Sequence, residues 1–439
     1  MEGKATFTLA DAATGKTVKR LCEHNLVTDA VKRILAPPLY ALTLKYSISD
    51  FLKSVMPISE KLFGGIVLMG NNLDERASNI LPGRDFVPVA TAGGAYSGTN
   101  IMRGTLNANE TYATEKGYHF TWDFGTDKAN GTIKCAALTS RLFGNSGFSA
   151  EDRNSTILMD AQKPNDIGTA TTLMLYAEGQ YLGTFREMTH TFIRRNIDNS
   201  ITFVRIKSSD PSAVGLNDRH MLEQKSEPYY SVVVDCPINY CYEAKCYVDI
   251  ATRTVYFFSD ILRKDEDYRI DYFGVDLDSL AVVSQGTQKL ARSYTRNIAA
   301  ALYEGSFYLA TDAGVDVYSP SGELLKSYTL PTTSILSWFC TVNGVLTLGN
   351  GMSLDYSLYN GKFYPSYNPQ GVLPSYSEDI SLPYCPVCSF YMNYNASNKA
   401  NIDPYLGISA NYFATINNLS EPLEKTNAHT LKITYDITN

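Results

Sequence analysis

The sequence predicts a mainly β fold with two parts. One is a small α+β or sandwich-like module at the N-terminus, completed by the C-terminal strands, and the other is a central β-propeller-like domain. Apolar residues alternate with period two at both ends of the chain, and short strands recur with turn signals from about Thr169 onward. The chain also holds 31 tyrosines among 439 residues, a residue type that favours strands. Tyrosine also suits a surface that contacts sugar or protein, and composition alone leaves both interpretations open.

The clearest alternation lies at residues 118–138. Four aromatic residues share one face of the first half: Tyr118, Phe120, Trp122 and Phe124. A connector follows, ending in the turn pair Asn130-Gly131, and Ile133, Cys135 and Ala137 alternate after it. The pattern predicts a hairpin. Its aromatic face must be covered, because four exposed aromatics would promote aggregation.

The remainder of residues 1–145 predicts two more strands, two helices and long loops. Thr28 is placed to cap a helix that ends near Leu35. The other predicted elements, in chain order, are strands Ala5–Leu9 and Val18–Cys22, a helix at Ile48–Met56, a strand at Ile66–Met69 and loops over 71–109.

A polar linker is predicted at residues 146–168, followed by a hairpin-rich, receptor-facing domain at 169–405. Gly305 and Gly344 lie 39 positions apart in equivalent turns, and each is followed by a further hairpin. Four short strands per roughly 40 residues is the spacing of propeller blades, and 169–367 has room for about five. A β-sandwich or a stack of hairpins is the alternative.

The C-terminal segment 406–439 alternates again. Leu431, Ile433, Tyr435 and Ile437 lie on one face of a predicted strand. A strongly amphipathic terminal strand usually joins a sheet, so we expect it to return to the N-terminal module and help cover the aromatic face.

Composition argues against several classes of protein. The net charge is −7 and the longest basic runs are pairs, so we expect no nucleic-acid binding. No apolar run approaches the length of a membrane span, and the polar start predicts no secretory signal. Eight cysteines are too few for a disulfide scaffold in a chain of 439 residues.

Candidate chemical groups are weak. The five histidines are scattered and predict no catalytic or metal site: His24, His119, His190, His220 and His429. Cys385 and Cys388 form a C-x-x-C pair, which is half of a zinc site. The other half would have to come from Cys236, Cys241 and Cys246, whose spacing does not fit a zinc knuckle.

The densest acidic run extends from Asp265 to Asp278 and includes Glu266, Asp267, Asp271 and Asp276. It suits three interpretations: a calcium site, the paired carboxylates of a glycosidase, or a solvated loop. The sequence therefore assigns no catalytic, cofactor-binding or metal-binding residue, and it predicts a protein that is not an enzyme.

Five short blocks lie in a fixed order towards the two ends of the chain: His24–Val31, Leu62–Leu68, Trp122–Phe124, Ala129–Ile133 and Ala414–Thr438. In this order they resemble the N-terminal module and terminal segment of tail-fibre and other tail-appendage proteins from bacteriophages of Gram-positive hosts. Leu26 stands where the resemblance leads us to expect Met. The middle of the chain is not part of this likeness, and we expect it to be an insertion displayed away from the N-terminal module.

The resemblance implies a structural protein of the virion tail, assembled in the host cytoplasm. It also implies a homotrimer that joins other tail or baseplate proteins through the N-terminal module and attaches the particle to host cell-wall glycan. Two alternatives stay open: a tail-borne glycan depolymerase, and a tail or collar adaptor without receptor contact.

Overall fold

A computed structural model describes residues 2–31, 62–146, 158–159, 180–185, 189–207, 230–238, 246–249, 251–264, 267–294, 299–311, 314–330, 338–342, 344–349, 354–367, 376–377, 388–394, 402–408 and 412–438. Within these residues the fold is mainly β, as predicted. The strands form seven small sheets, whose neighbours are antiparallel except for one short parallel pair.

Two sheets contain the strands from both ends of the chain. The first sheet, in the order β2-β1-β32-β8-β6 with β7 also paired to β8, comprises β1 (Glu2–Asp11), β2 (Thr17–His24), β6 (Thr105–Leu106), β7 (Tyr112–Thr114), β8 (Gly117–Phe124) and β32 (His429–Thr438). The second sheet, in the order β3-β31-β9-β4-β5, comprises β3 (Leu26–Val27), β4 (Gly65–Met69), β5 (Pro88–Ala92), β9 (Gly131–Thr139) and β31 (Thr415–Lys425).

The aromatic side chains of β8 form the centre of one core shared by the first and second sheets. Phe120, Trp122 and Phe124 are at most 1% exposed, and they pack in one cluster with Ile66 and Leu423 of the second sheet. Trp122 stacks on Phe120 with ring centroids 5.5 Å apart. The two sheets are therefore the layers of a sandwich, and the second sheet covers the aromatic face.

The predicted hairpin at 118–138 is wrong. β8 belongs to the first sheet and β9 to the second, so the connector between them crosses from one layer to the other. The pairing edges of β8 are taken by β32 on one side and by β6 and β7 on the other, while β9 lies between β31 and β4. Partners distant in sequence thus replace the local one.

The C-terminal strand returns to the N-terminal module, as predicted. β32 lies between β1 and β8 and pairs antiparallel with both; Ile433, for example, is opposite Phe7 and Trp122. It therefore extends the aromatic sheet sideways and contributes to the core from within that sheet. Only the expectation that it helps to cover the aromatic face was wrong, since it lies beside β8 in the same sheet.

The helix predicted from Thr28 to Leu35 is described only at its start. Asp29–Val31 are helical, and Ala30 and Val31 are buried in the sandwich core. The Thr28 hydroxyl donates to the carbonyl oxygen of Phe413 over 2.5 Å, tying this turn to the entry of β31. The rest of that helix and the one predicted at 48–56 lie outside the described residues.

Beyond β5, two short helical segments occur in the described ranges. A 3-10 turn at Ala108–Glu110 precedes β7, and α1 (Arg141–Ser146) follows β9. Neither was predicted.

The middle of the chain supplies five sheets. Three short strands form one of them in the order β10-β30-β29: β10 (Leu158–Met159), β29 (Cys388–Tyr394) and β30 (Ile402–Ile408). β10 is the described part of the predicted linker. The other four sheets comprise β11 (Gln180–Phe185), β12 (Thr189–Arg195), β13 (Ile201–Lys207), β14 (Tyr230–Val234), β15 (Cys246–Asp249), β16 (Thr254–Phe258), β17 (Leu262–Lys264), β18 (Asp267–Asp276), β19 (Val282–Leu290), β20 (Ala300–Tyr303), β21 (Ser306–Thr311), β22 (Gly314–Tyr318), β23 (Leu324–Thr329), β24 (Trp338–Val342), β25 (Val345–Gly349), β26 (Leu354–Tyr359), β27 (Lys362–Tyr367) and β28 (Tyr376–Ser377).

These four sheets repeat one plan, in which consecutive strands pair antiparallel in chain order. They are β11–β14, β15-β16-β18-β19 with β17 beside β18, β20–β23, and β24–β27. The hairpins predicted at residues 247–258, 299–310 and 338–348 are confirmed. The first strands of neighbouring sheets meet, since β15 contacts both β20 and β24. β28 contacts β24 and pairs parallel with β11, which links the last of these sheets to the first.

The middle of the chain packs directly on the sandwich. Val67 and Met69 point to the face of the second sheet opposite the core, where they cluster with Val345 and Tyr359. Phe86 makes an edge-to-face contact with Tyr359, with ring centroids 5.1 Å apart. β4 is buried on both faces, which explains its uninterrupted apolar sequence. The expectation that the middle is displayed away from the module was therefore wrong.

Candidate functional site

A cleft of about 1160 Å³ lies between the sandwich and three of the four repeated sheets. One wall is the loop between β4 and β5, from Asn71 to Phe86. The opposite wall comes from β15–β16, β18–β19, β20–β21 and β24–β25. The cleft is thus built from parts of the chain that the sequence analysis assigned to separate domains.

Equivalent turns of three sheets border this cleft. They are the turn after Asp249, the turn Glu304-Gly305 and the turn at Gly344, each joining the first two strands of its sheet. Glu304 and Gly305 have φ of 49° and 74°, the left-handed pair that closes a tight hairpin. Because the sheets repeat one plan, their equivalent turns gather at the same end.

Two half-buried tyrosines supply aromatic surface to the cleft. The rings of Tyr256 and Tyr272 lie edge to face, with centroids 6.4 Å apart. Tyr256 also stacks on the buried Tyr247 at 6.4 Å, and Tyr272 packs against Phe307 at 6.5 Å. Ordered packing behind the rings holds them in place, so the aromatic wall is preformed.

A third tyrosine joins two of the turns. Tyr303 is buried, and its hydroxyl donates to the Gly344 carbonyl oxygen over 2.7 Å. Burial raises the pKa of Tyr303 to about 12, and Glu304 acts in the same direction. Burial also raises the pKa of Tyr256, with a further contribution from the Asp249 carboxylate. Both phenols are therefore neutral hydrogen-bonding groups at physiological pH.

Charged groups of the cleft are mostly tied to one another. Arg84 of the β4–β5 loop forms an ion pair with Glu304, and its Nε lies 3.9 Å from Asp85 Oδ1. The Asp249 carboxylate accepts hydrogen bonds from the Ala251 amide at 3.0 Å and the Thr252 hydroxyl at 2.8 Å. The cleft thus combines aromatic faces with fixed carboxylate acceptors.

The described carboxylates of the acidic run, Asp271, Asp276 and Asp278, are engaged in local hydrogen bonds and ion pairs. Asp276 accepts bonds from the amide and hydroxyl of Ser279, each at 2.7 Å, and these bonds lower its pKa. Asp278 forms a two-pronged ion pair with Arg253, and Asp271 accepts a bond from Thr287 at 2.7 Å. These three carboxylates stabilise turns and strand pairs and do not line the cleft. Asp265 and Glu266 lie outside the described residues.

The described cysteine and histidine side chains do not come together as a metal site. Cys246 is buried and Cys236 half-buried; burial raises their pKa values to about 12 and about 11, which keeps both as thiols. Cys241, Cys385 and His220 lie outside the described residues. His119 is 2.6 Å from Asp436 on the outer face of the first sheet. Within the described ranges, no group of three or more His, Cys, Asp or Glu side chains is placed to hold a metal ion.

No residue of this cleft was predicted from the sequence to belong to a functional site. The available signal was the equivalence of the turns at Gly305 and Gly344, since equivalent turns of repeated sheets lie at one end. The contribution of the Asn71–Phe86 loop had no comparable signal, because it depends on how the sandwich docks.

Comparisons with known proteins give no family. The sequence matches no protein-family model, and no curated protein matches it. Among solved structures, BamB from Moraxella catarrhalis is 9% identical with a TM-score of 0.26, covering 78% of this chain and 100% of that one. A GH43_1 enzyme from Xanthomonas citri is 10% identical with a TM-score of 0.26, covering 62% and 92%.

A gluconolactonase from Xanthomonas campestris is 10% identical with a TM-score of 0.20; the match covers 41% of this chain and 57% of that protein. Likeness at this level supports no conclusion about activity. In the described part of the chain, no helix has the length and apolar character needed to cross a membrane.

Proposed function

We propose that this protein is a non-enzymatic component of a bacteriophage tail that attaches the particle to glycan on the host cell surface. The observation that carries the proposal is the preformed cleft, in which Tyr256 and Tyr272 offer aromatic faces beside carboxylate and hydroxyl groups. Sugar rings present one apolar face and a rim of hydroxyls. A cleft of this composition matches both, by stacking and by hydrogen bonding.

The four repeated sheets are proposed to be the blades of a small β-propeller. Their meander order, the meeting of first strands β15, β20 and β24, and the link from β28 to β11 support this arrangement. A propeller gathers equivalent turns around one end of its axis, which is where binding sites form on such folds. The glycan cleft would then be an end-on site, partly closed by the sandwich.

The sandwich is proposed to be the attachment module, joining other tail or baseplate proteins. The blocks that resemble phage tail appendages all belong to it. The proposed state is a homotrimer in the virion. Several weak glycan sites would then act together, increasing the apparent affinity about 10²–10⁴-fold.

The test is binding of purified full-length protein to whole Gram-positive cells and to polysaccharide extracted from their walls. Tyr256→Ala should reduce binding at least about tenfold, because stacking contributes most of its energy through one or two aromatic faces. Tyr112→Ala is the matched control, since Tyr112 is an exposed tyrosine of the attachment module that does not line the cleft. Equal binding by wild type and both variants would contradict the proposal.

A tail-borne glycan depolymerase is the second candidate. The supporting observation is that Asp74, Asp85, Asp249 and Glu304 line the same cleft. Glycoside hydrolysis uses two carboxyl groups on opposite sides of the scissile bond. New reducing ends released from wall polysaccharide by the wild type, and not by Asp249→Asn, would favour this candidate over simple attachment.

A further inference from the structure

The charges that line the cleft are predominantly negative. Among the described residues that line it, the ionisable groups other than tyrosine are four carboxylates and one guanidinium: Asp74, Asp85, Asp249, Glu304 and Arg84. The Arg84 guanidinium forms an ion pair with Glu304 and lies near Asp85. It is therefore already compensated, and a ligand anion would have to displace a protein carboxylate to reach it.

Asp249 adds a carboxylate that pairs with no described cation of the cleft lining, since Arg84 is paired with Glu304. Its two carboxylate oxygens accept bonds from neutral donors of its own turn, the Ala251 amide and the Thr252 hydroxyl. Both donors are uncharged, so these bonds orient the carboxylate without pairing it with a cation. Its field reaches the tyrosines, since it contributes to the raised pKa of Tyr256 and, after larger contributions from burial and Glu304, to that of Tyr303.

The remaining acidic residue of the cleft, Asp74, pairs with Arg76 at 2.6 Å. Arg76 does not line the cleft, so this pair reduces the charge of Asp74 without adding a cation to the lining. Arg76 offsets the charge of Asp74, and Arg84 offsets that of either Glu304 or Asp85. The described lining therefore keeps a net negative charge from Asp249 and from the other acid beside Arg84. Such a surface accepts hydrogen bonds from hydroxyl, amide and ammonium donors and repels carboxylate and phosphate groups.

From this charge pattern, and resting on the proposed glycan function, we infer that the cleft selects a saccharide without acidic groups. Neutral and amino-bearing sugars fit the aromatic wall and donate to the carboxylates. Uronic acid chains and polymers of glycerol phosphate are excluded, although their sugar or polyol units are of similar size. The cleft thus separates one class of cell-surface polymer from another by charge.

The test is a panel of immobilised oligosaccharides that includes neutral, amino-bearing and uronic acid members, together with poly(glycerol phosphate). Full-length wild type and Tyr256→Ala are compared at low and at moderate ionic strength. Signals that Tyr256→Ala removes should come only from members without acidic groups. For the neutral members these signals should change less than about twofold with salt, because no net ligand charge is screened. Signals from amino-bearing members should fall as salt rises, because their attraction to the carboxylates is screened. Tyr256-dependent binding to a uronic acid chain or to poly(glycerol phosphate) would overturn the inference and leave glycan attachment intact.

A charge variant provides a second measurement. Asp249→Asn keeps the size of the side chain and removes the charge. The ratio of affinity for an acidic oligosaccharide to that for its neutral counterpart should rise at least about threefold, from loss of like-charge repulsion. An unchanged ratio would contradict the inference. Absence of any Tyr256-dependent signal across the whole panel would instead contradict the proposed function.

Discussion

Arg84, in the loop after β4, forms an ion pair with Glu304 in the turn between β20 and β21. The amide of Asn360, between β26 and β27, also donates to the Arg84 carbonyl oxygen over 2.8 Å. One residue of the sandwich thus contacts turns of two neighbouring sheets. These contacts fix the wall that the β4–β5 loop contributes to the cleft.

Removing this ion pair should affect binding more than stability. Both side chains are substantially exposed, and exposed pairs contribute little to folding. We expect Arg84→Gln to weaken glycan binding several-fold, because the loop wall is less well held, with thermal unfolding nearly unchanged. The reversed pair, Arg84→Glu with Glu304→Arg, should recover part of the binding. Full binding by the single variant would show that the loop is positioned by other contacts.

Trp122 should be the most sensitive position of the sandwich core. It is fully buried, and its Nε1 donates to the Gly64 carbonyl oxygen over 3.1 Å. Trp122→Ala should lower the free energy of unfolding by about 3–5 kcal/mol. Trp122→Phe keeps an aromatic ring but removes the donor to the Gly64 carbonyl oxygen. The loss of this hydrogen bond should lower the free energy of unfolding by about 1–3 kcal/mol, in addition to any effect of the smaller ring on packing. Urea denaturation followed by circular dichroism measures both, with exposed Tyr112→Phe as the control.

Deleting β32 should abolish soluble folding. The strand fills the space between β1 and β8, so its loss would leave two unpaired edges in the middle of the first sheet. Truncation before His429 should give insoluble protein on expression. The milder Ile433→Ala should remain soluble and lose about 2–5 kcal/mol, because Ile433 is fully buried. A truncated chain with the thermal stability of the wild type would contradict this role.

Lys425 should make the module more stable at alkaline pH. Lys425 is 1% exposed, and its amine donates to the Gly125 carbonyl oxygen at 2.8 Å and to Asn130 Oδ1 at 3.0 Å, which holds the β8–β9 connector. Burial lowers its pKa to about 8 from 10.5. Between these values the unfolded chain binds more protons than the folded one, so stability rises with pH across that interval.

The measurement is the unfolding free energy of wild type and Lys425→Met from pH 7 to 10.5. Across this interval the unfolding free energy of the wild type should rise by on the order of 3 kcal/mol relative to that of the variant. The comparison removes the opposing effect of buried tyrosines such as Tyr359, whose pKa is raised to about 12 and whose stabilisation is lost as pH rises above 10. If the unfolding free energies of the two proteins change with pH in parallel, the carbonyl contacts fully offset the cost of burying the ammonium charge, and the prediction is wrong.

Local patterns predicted the strands better than their partners. Alternation located β8, β9 and β32, and turn pairs located the hairpins of the middle sheets, because both signals depend on neighbouring residues. The partnership of β8 with β32 and of β9 with β31 depends on contacts more than 250 positions apart in the chain. The local signal instead favoured a hairpin that does not form.

The cleft was less predictable for the same reason. Tyr256 belongs to a predicted strand and Tyr272 lies within the acidic run, and nothing in their local sequence distinguishes them from core tyrosines such as Tyr247. Tyr256 and Tyr272 line the cleft because the sandwich docks on the middle sheets through Phe86 and Tyr359. Conversely, the acidic run was conspicuous in sequence, yet the described carboxylates Asp276 and Asp278 serve turn geometry and an ion pair.

The most direct test of the account is titration calorimetry with wall polysaccharide from a bacterium that the protein binds, comparing wild type, Tyr256→Ala and Tyr272→Leu. The account predicts measurable heat for the wild type and at least about tenfold weaker binding for both variants, with circular dichroism spectra unchanged. Folded variants that bind as tightly as the wild type would contradict the central claim that this cleft is the glycan site.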